Sequence, residues 1–121
     1  MSIPRRWRFA RGGPPSDDDA LTVTVEIDRG LGWLHLQGEL DLDSATVLRQ
    51  ITREVERMQP HTIVFDLCQL DFIDSAGISE LLAARRRGER VGRRVLLATT
   101  PGSGPARVLA MTGIDAVMGH V

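Results

Sequence analysis

The spacing of hydrophobic residues changes period several times along the chain, and each change predicts an element. Leu21, Val23, Val25 and Ile27 alternate with polar residues, the period of a strand with one face buried. Asp28 to Gly32 ("DRGLG") is turn chemistry, and alternation resumes from Trp33 to Gly38, so a hairpin is predicted. His35 is out of phase with Leu34 and Leu36 and is expected to face away from the core, with no ligand role. The period then lengthens. Leu48, Ile51, Val55 and Met58 make one helical stripe, with Asp43 or Ser44 available to cap its start and Pro60 just past its end. Thr62 to Leu67 ("TIVFDL") is a β-branched apolar run suited to a central strand buried on both faces. "SAGISELLAARRRG" predicts a second helix with Ile78, Leu81 and Leu82 inward and Gly88 as its stop. Arg94 to Thr99 reads as another buried strand. Pro105 and Gly113 bracket a third helix, and one short strand is expected in the final "IDAVMGHV". The order β-β-α-β-α-β-α-β implies an α/β fold with a mostly parallel sheet and helices packed on it.

Residues 1–20 break the pattern. They are rich in Pro, Gly, Arg and Asp, with Arg5, Arg6, Arg8 and Arg11 set against Asp17, Asp18 and Asp19. They are read as a disordered tail, and residues 21–121 as the one domain that a 121-residue chain allows. No secretory signal is visible, because the basic start is not followed by an apolar stretch. No run approaches the ~20 apolar residues of a membrane span. A cytoplasmic protein is therefore expected. The net charge of −1 favours neither nucleic acid nor a membrane surface. Cys68 is the only cysteine, which excludes an internal disulfide and an all-cysteine metal site. All 15 basic residues are arginine.

The absence of lysine bears on which reactions the chain supports. Asp41 to Ala45 ("DLDSA") looks like the loop of phosphoaspartate-forming hydrolases, and Asp66 at a strand end imitates the phosphoacceptor of a receiver domain. Both families resembled here use a lysine against the phosphoryl oxygens. A serine hydrolase needs a histidine aimed at its nucleophile, and His35, His61 and His120 lie on a strand, before a strand and at the tail. "DSAG" also lacks the glycine before serine of a nucleophile elbow. Gly102 to Ala106 lacks the lysine and length of a phosphate-binding loop. The arginine cluster from Arg85 to Arg94 is explained by a solvated helix end, with an acidic protein surface as the secondary reading. No enzyme is expected, and no cofactor or metal.

Asp74 and Ser75 remain. One of the two is expected to cap the second helix, with Ala76 and Gly77 permitting a tight turn. A serine there presents its hydroxyl at the surface. A phosphate on it would add about −1.5 to −2 charges at a helix N-terminus, which tolerates an anion. Such a position can switch a binding surface without unfolding the domain.

Three stretches, in order, carry a resemblance: "GELDLDSA", "FDLCQLDFIDSAGISELL" and "RVLLATTPGSGPARVLAMTGID". From about Leu21 to the C-terminus the chain resembles STAS-domain proteins, and among them the bacterial anti-sigma factor antagonists. The resemblance implies a STAS-like mixed β-sheet of roughly four to five strands with helices mainly on one side. It implies that the unphosphorylated chain binds an anti-sigma factor, a serine kinase of the histidine-kinase-like ATPase type, and so releases a sigma factor. Phosphorylation would fall on Ser75 and be reversed by a PP2C-type phosphatase. Gly38, Glu39, Leu40, Asp41, Asp74, Ser75, Ala76, Gly77 and Ile78 would form the docking surface, with Asp74 helping to present the serine. Ala76 replaces a second hydroxyl found in many members, so Ser79 is the only other nearby candidate. The chain ends at Val121, where family members commonly continue into a last helix, so the resemblance implies a frayed edge or an altered dimer surface there. The implied state is a monomer or weak dimer. An alternative from the same resemblance is a STAS assembly or sensor module of a larger stress-signalling complex, or a small-ligand-binding STAS protein.

Overall fold

The computed structural model describes residues 4–10 and 20–121. The elements are β1 (Arg5–Phe9), β2 (Leu21–Asp28), β3 (Leu31–Leu40), α1 (Leu42–Arg57), β4 (Thr62–Ile73), α2 (Ser75–Val91), β5 (Arg94–Ala98), α3 (Gly104–Thr112), α4 (Ile114–Val117) and β6 (Gly119–His120). They build one six-stranded sheet whose strands lie in sequence order. The first three strands pair antiparallel, and β3 to β6 pair in parallel. Parallel neighbours joined by right-handed crossovers in one direction put every connecting helix on the same face. Leu21, Val23, Leu34, Leu36, Phe65, Leu67 and Leu97 point to that face and form one core with Leu48, Leu81 and Leu109 of the helices.

The hairpin between β2 and β3 turns on Arg29 and Gly30, both with positive φ (52° and 78°). Two such residues in a two-residue loop match the right-handed strand twist. The alternation of β2 and the double burial at the start of β4 are as the sequence predicts.

Several expectations are corrected. Arg5–Phe9, read as part of a disordered tail, pairs with β2 as an edge strand, with Trp7 and Phe9 packed against the core. That pairing takes the sheet beyond the expected four to five strands. The rest of the tail reading, on residues 1–3 and 11–19, lies outside the described residues. Met58 does not join the apolar stripe of α1; it is the C-cap, 58% exposed, because the helix ends before the stripe returns to the core. Gly88 does not stop α2. It sits within the helix where Arg93 O and Val95 approach closely, and a Cβ there would stand 3.0 Å from each. Gly92, at φ 74°, ends the helix instead. β5 is buried on one face only.

Candidate functional site at the start of the second helix

Ser75 lies where β4 gives way to α2. The cap is Asp74, not Ser75: its carboxylate accepts hydrogen bonds from the backbone N–H of Ala76 (2.9 Å) and Gly77 (3.2 Å). Those two donors have no partner within the helix, so one side chain satisfies both. Ser75 is then the first helical residue, and its side chain is exposed.

The turn is fixed from behind by β3. The Asp74 N–H donates to Leu40 O at 3.1 Å, which ties the two strand ends together. Gly77 allows the helix to start so close: a Cβ there would lie 2.7 Å from Leu40 Cγ and 2.9 Å from Ile73 Cγ1. The end of β3 is bent into this position by irregular pairing with β4 around His35 to Glu39. Gly38 takes φ 105° there, with Ala20 O so near that a Cβ would collide with it. Bulges of this kind re-aim a strand beside a functional edge.

The adjoining loop is capped in the same way. Asp41, not Asp43 or Ser44, is the N-cap of α1; its carboxylate accepts from the Ser44 N–H (3.1 Å), and Ser44 Oγ accepts from the Asp41 N–H (3.0 Å). Ser44 Oγ also donates to Glu39 O at 2.8 Å. Two capped helix starts thus stand side by side on one rim, joined by the Leu40–Asp74 bond.

All nine predicted site residues meet at this rim, but not in equal roles. Glu39 and Ser75 are exposed; Gly38, Asp41, Asp74 and Ala76 are half-buried. Leu40, Gly77 and Ile78 are buried, so they shape the turn rather than present side chains outward. Ser79 is exposed one turn along α2, in a groove of about 400 Å³ between α1 and α2 lined also by Leu42, Ala76 and Arg49. Two residues that the sequence reading missed flank the site: Leu42, 74% exposed at the start of α1, and Phe72, 46% exposed and paired with Glu39 across the strands. Both are out of phase with the buried run beside them, and that mismatch is the signal that could have found them. The rim is acidic, carrying Glu39, Asp41, Asp43, Asp71 and Asp74, with apolar area at Leu42 and Phe72. Among the described residues, no group of three or more His, Cys, Asp or Glu is placed to hold a metal ion. No helix among them is long and apolar enough to cross a membrane.

A mixed sheet with its strands in sequence order and helices between its parallel strands defines a class of fold, and comparison with known proteins agrees. The family model of the STAS domain matches residues 22–121. The anti-sigma-F factor antagonist RsfB of Mycobacterium tuberculosis is 33% identical over 101 residues, 83% of this chain and 80% of that protein. The crystal structure of an anti-sigma factor antagonist from Mycobacterium paratuberculosis superimposes with a TM-score of 0.75 at 24% identity, over 87% of each chain, which supports the fold. The Bacillus cell fate determinant SpoIIAA, in its phosphorylated form, gives a TM-score of 0.63 at 25% identity, over 82% of this chain and 90% of that one. This chain belongs to the STAS-domain family of anti-sigma factor antagonists.

Proposed function

We propose that this chain is a phosphorylation-switched antagonist of an anti-sigma factor. In the unphosphorylated state the rim formed by Gly38 to Asp41 and Asp74 to Ala76, with Leu42 and Phe72 beside it, docks on an anti-sigma factor that is itself a serine kinase. Docking withdraws that protein from its sigma factor. The kinase then transfers phosphate to Ser75, and a PP2C-type phosphatase removes it. The observation that carries the reading is the position of Ser75: exposed, first in its helix, and leaving the capping to Asp74. Its hydroxyl has no duty in holding the helix, so it can be modified without unfolding the turn.

The sign of the switch follows from charge. The rim is already acidic, so a partner that fits it presents cationic or apolar groups. A phosphate adds about −1.5 to −2 charges and a tightly held water shell to the centre of the contact. The helix N-terminus stabilises that charge within the monomer, whereas a dry interface built around a neutral hydroxyl does not. Two tagged forms, Ser75→Ala and Ser75→Asp, used as baits in the native host test the reading. Capture of a histidine-kinase-like ATPase by the alanine form and its loss from the aspartate form supports the antagonist. Equal capture of other STAS proteins by both forms, with no such ATPase, supports an assembly module instead.

A further inference from the structure

The far end of the same two helices carries the opposite charge. A cleft of about 700 Å³ opens where α1 and α2 end, and its lining includes Arg53, Arg57, Arg87, Arg90 and Arg93 but only one carboxylate, Glu56. That carboxylate is already engaged: Arg87 Nε donates to both its oxygens, at 3.0 and 2.9 Å, while an Arg87 amino group donates to Glu80 at 3.1 Å. Arg93 is held by carbonyls alone, donating to Pro60 O at 2.9 Å and Glu56 O at 3.4 Å, so it is positioned without being neutralised. Arg57 and Arg90 are exposed and form no ion pair among the described residues. The favourable field at a helix C-terminus accounts for one cation on each helix. It does not account for this excess converging on one concavity.

We propose that this cleft is a second docking site, which takes a carboxylate-rich segment of a partner protein. Arginine forks match carboxylates two bonds at a time. A compact phosphate ligand fits less well. Arginine forks take phosphate too, but phosphate sites commonly add the N–H groups of a helix N-terminus or a glycine-rich loop, whereas this cleft is closed by two helix C-termini whose dipoles disfavour an anion placed deep inside. The lining holds no Trp, Tyr or Phe on which a nucleotide base would stack. Carboxylates spread along an extended chain reach the arginines at the mouth and stay clear of those carbonyls. A second copy of this chain, docking its acidic rim into the cleft, would make a head-to-tail contact, which builds a ring or a filament and would show as concentration-dependent self-association. The 17 residues of α2 put the cleft about 25 Å from Ser75, so both sites can be occupied at once.

The test is fluorescence anisotropy of a labelled oligoglutamate peptide titrated with the full chain. Saturable, salt-sensitive binding is expected, weakened about tenfold by Arg57→Glu with Arg90→Glu and unchanged by Arg107→Glu on α3. The milder pair Arg57→Gln and Arg90→Gln should give a smaller loss in the same direction. Binding that does not saturate, or that Arg107→Glu weakens equally, overturns the proposal. Displacement of the peptide by pyrophosphate at lower concentration than by free oligoglutamate also overturns it, in favour of a phosphate ligand. Concentration-dependent self-association, abolished by the same double change, would assign the cleft to a second copy instead.

Discussion

At the scale of single residues, the site rests on a few positions whose substitution has a calculable direction. Asp74 satisfies two backbone donors at once, so Asp74→Ala should cost about 1 kcal/mol of unfolding free energy, read from urea denaturation. Gly77 is more constrained. A methyl group placed 2.7 Å from Leu40 Cγ must push α2 away from β3, and Gly77→Ala should cost about 1–3 kcal/mol. A denaturation midpoint equal to that of the unsubstituted chain would show that the turn relaxes freely. Residue identity alone could not reveal which of the neighbouring acids and serines caps which helix. Asp43 and Ser44 are good cap residues in isolation, yet Asp41 wins because its carboxylate and the Ser44 hydroxyl serve each other's backbone N–H. Ser75 likewise loses the cap to Asp74, and that leaves its hydroxyl outward.

Between elements, two polar contacts tie segments that are distant in sequence. His35 Nδ1 lies 2.7 Å from Asp66 Oδ2 across β3 and β4, with the Trp33 ring stacked on the imidazole at 5.5 Å and Glu26 3.4 Å away on β2. Partial burial pushes the Asp66 carboxyl up, but hydrogen bonds from His35 and the Cys68 N–H outweigh this and hold it below its ordinary value. A folded-state pKa lower than the unfolded one contributes stability at pH above the unfolded value, and that contribution is lost as pH falls through the folded one. The unsubstituted chain should therefore lose stability below about pH 4 more steeply than Asp66→Asn, when thermal midpoints are followed against pH. Equal slopes would mean that the pairing adds nothing. On the helical face, Arg87 bridges Glu56 of α1 and Glu80 of α2, and both acids are largely buried. Arg87→Ala removes the ion pair of Glu80 and leaves Glu56 only the Arg53 contact at 3.6 Å, at a cost of about 1.5–3 kcal/mol in chemical denaturation. Periodicity located β2, β3, α1, β4 and α2, because each buries one face or both over a long run. It did not show β1, where Trp7 and Phe9 alternate with arginines over only five residues and read as a charged leader. Nor does any local pattern show that His35 meets Asp66, since strand register is set by turns and bulges elsewhere in the chain.

For the molecule as a whole, the near-zero net charge conceals a separation. Acids gather around the starts of α1 and α2, and arginines around their ends. The fold produces this directly: successive crossovers in one direction bring both helix starts to one rim and both helix ends to the other. The nine site residues, drawn from two stretches more than thirty positions apart, were legible as a set because their motif order resembles a known family. The arginine cleft was legible only in part: Arg87, Arg90 and Arg93 belong to the cluster the sequence displays, but Arg53 and Arg57 join them from α1 only in the packed structure, which also shows which of them remain unpaired. In the proposed switch, one phosphate on Ser75 turns off a docking surface. That switch is tested most directly by calorimetric titration of the captured anti-sigma factor with this chain, before and after phosphorylation by that kinase and ATP, with the modified residue mapped by mass spectrometry. A single phosphate at Ser75 and an affinity loss of at least about tenfold is the predicted result. Phosphate at Ser79 instead, or unchanged affinity with Ser75 fully modified, would contradict it.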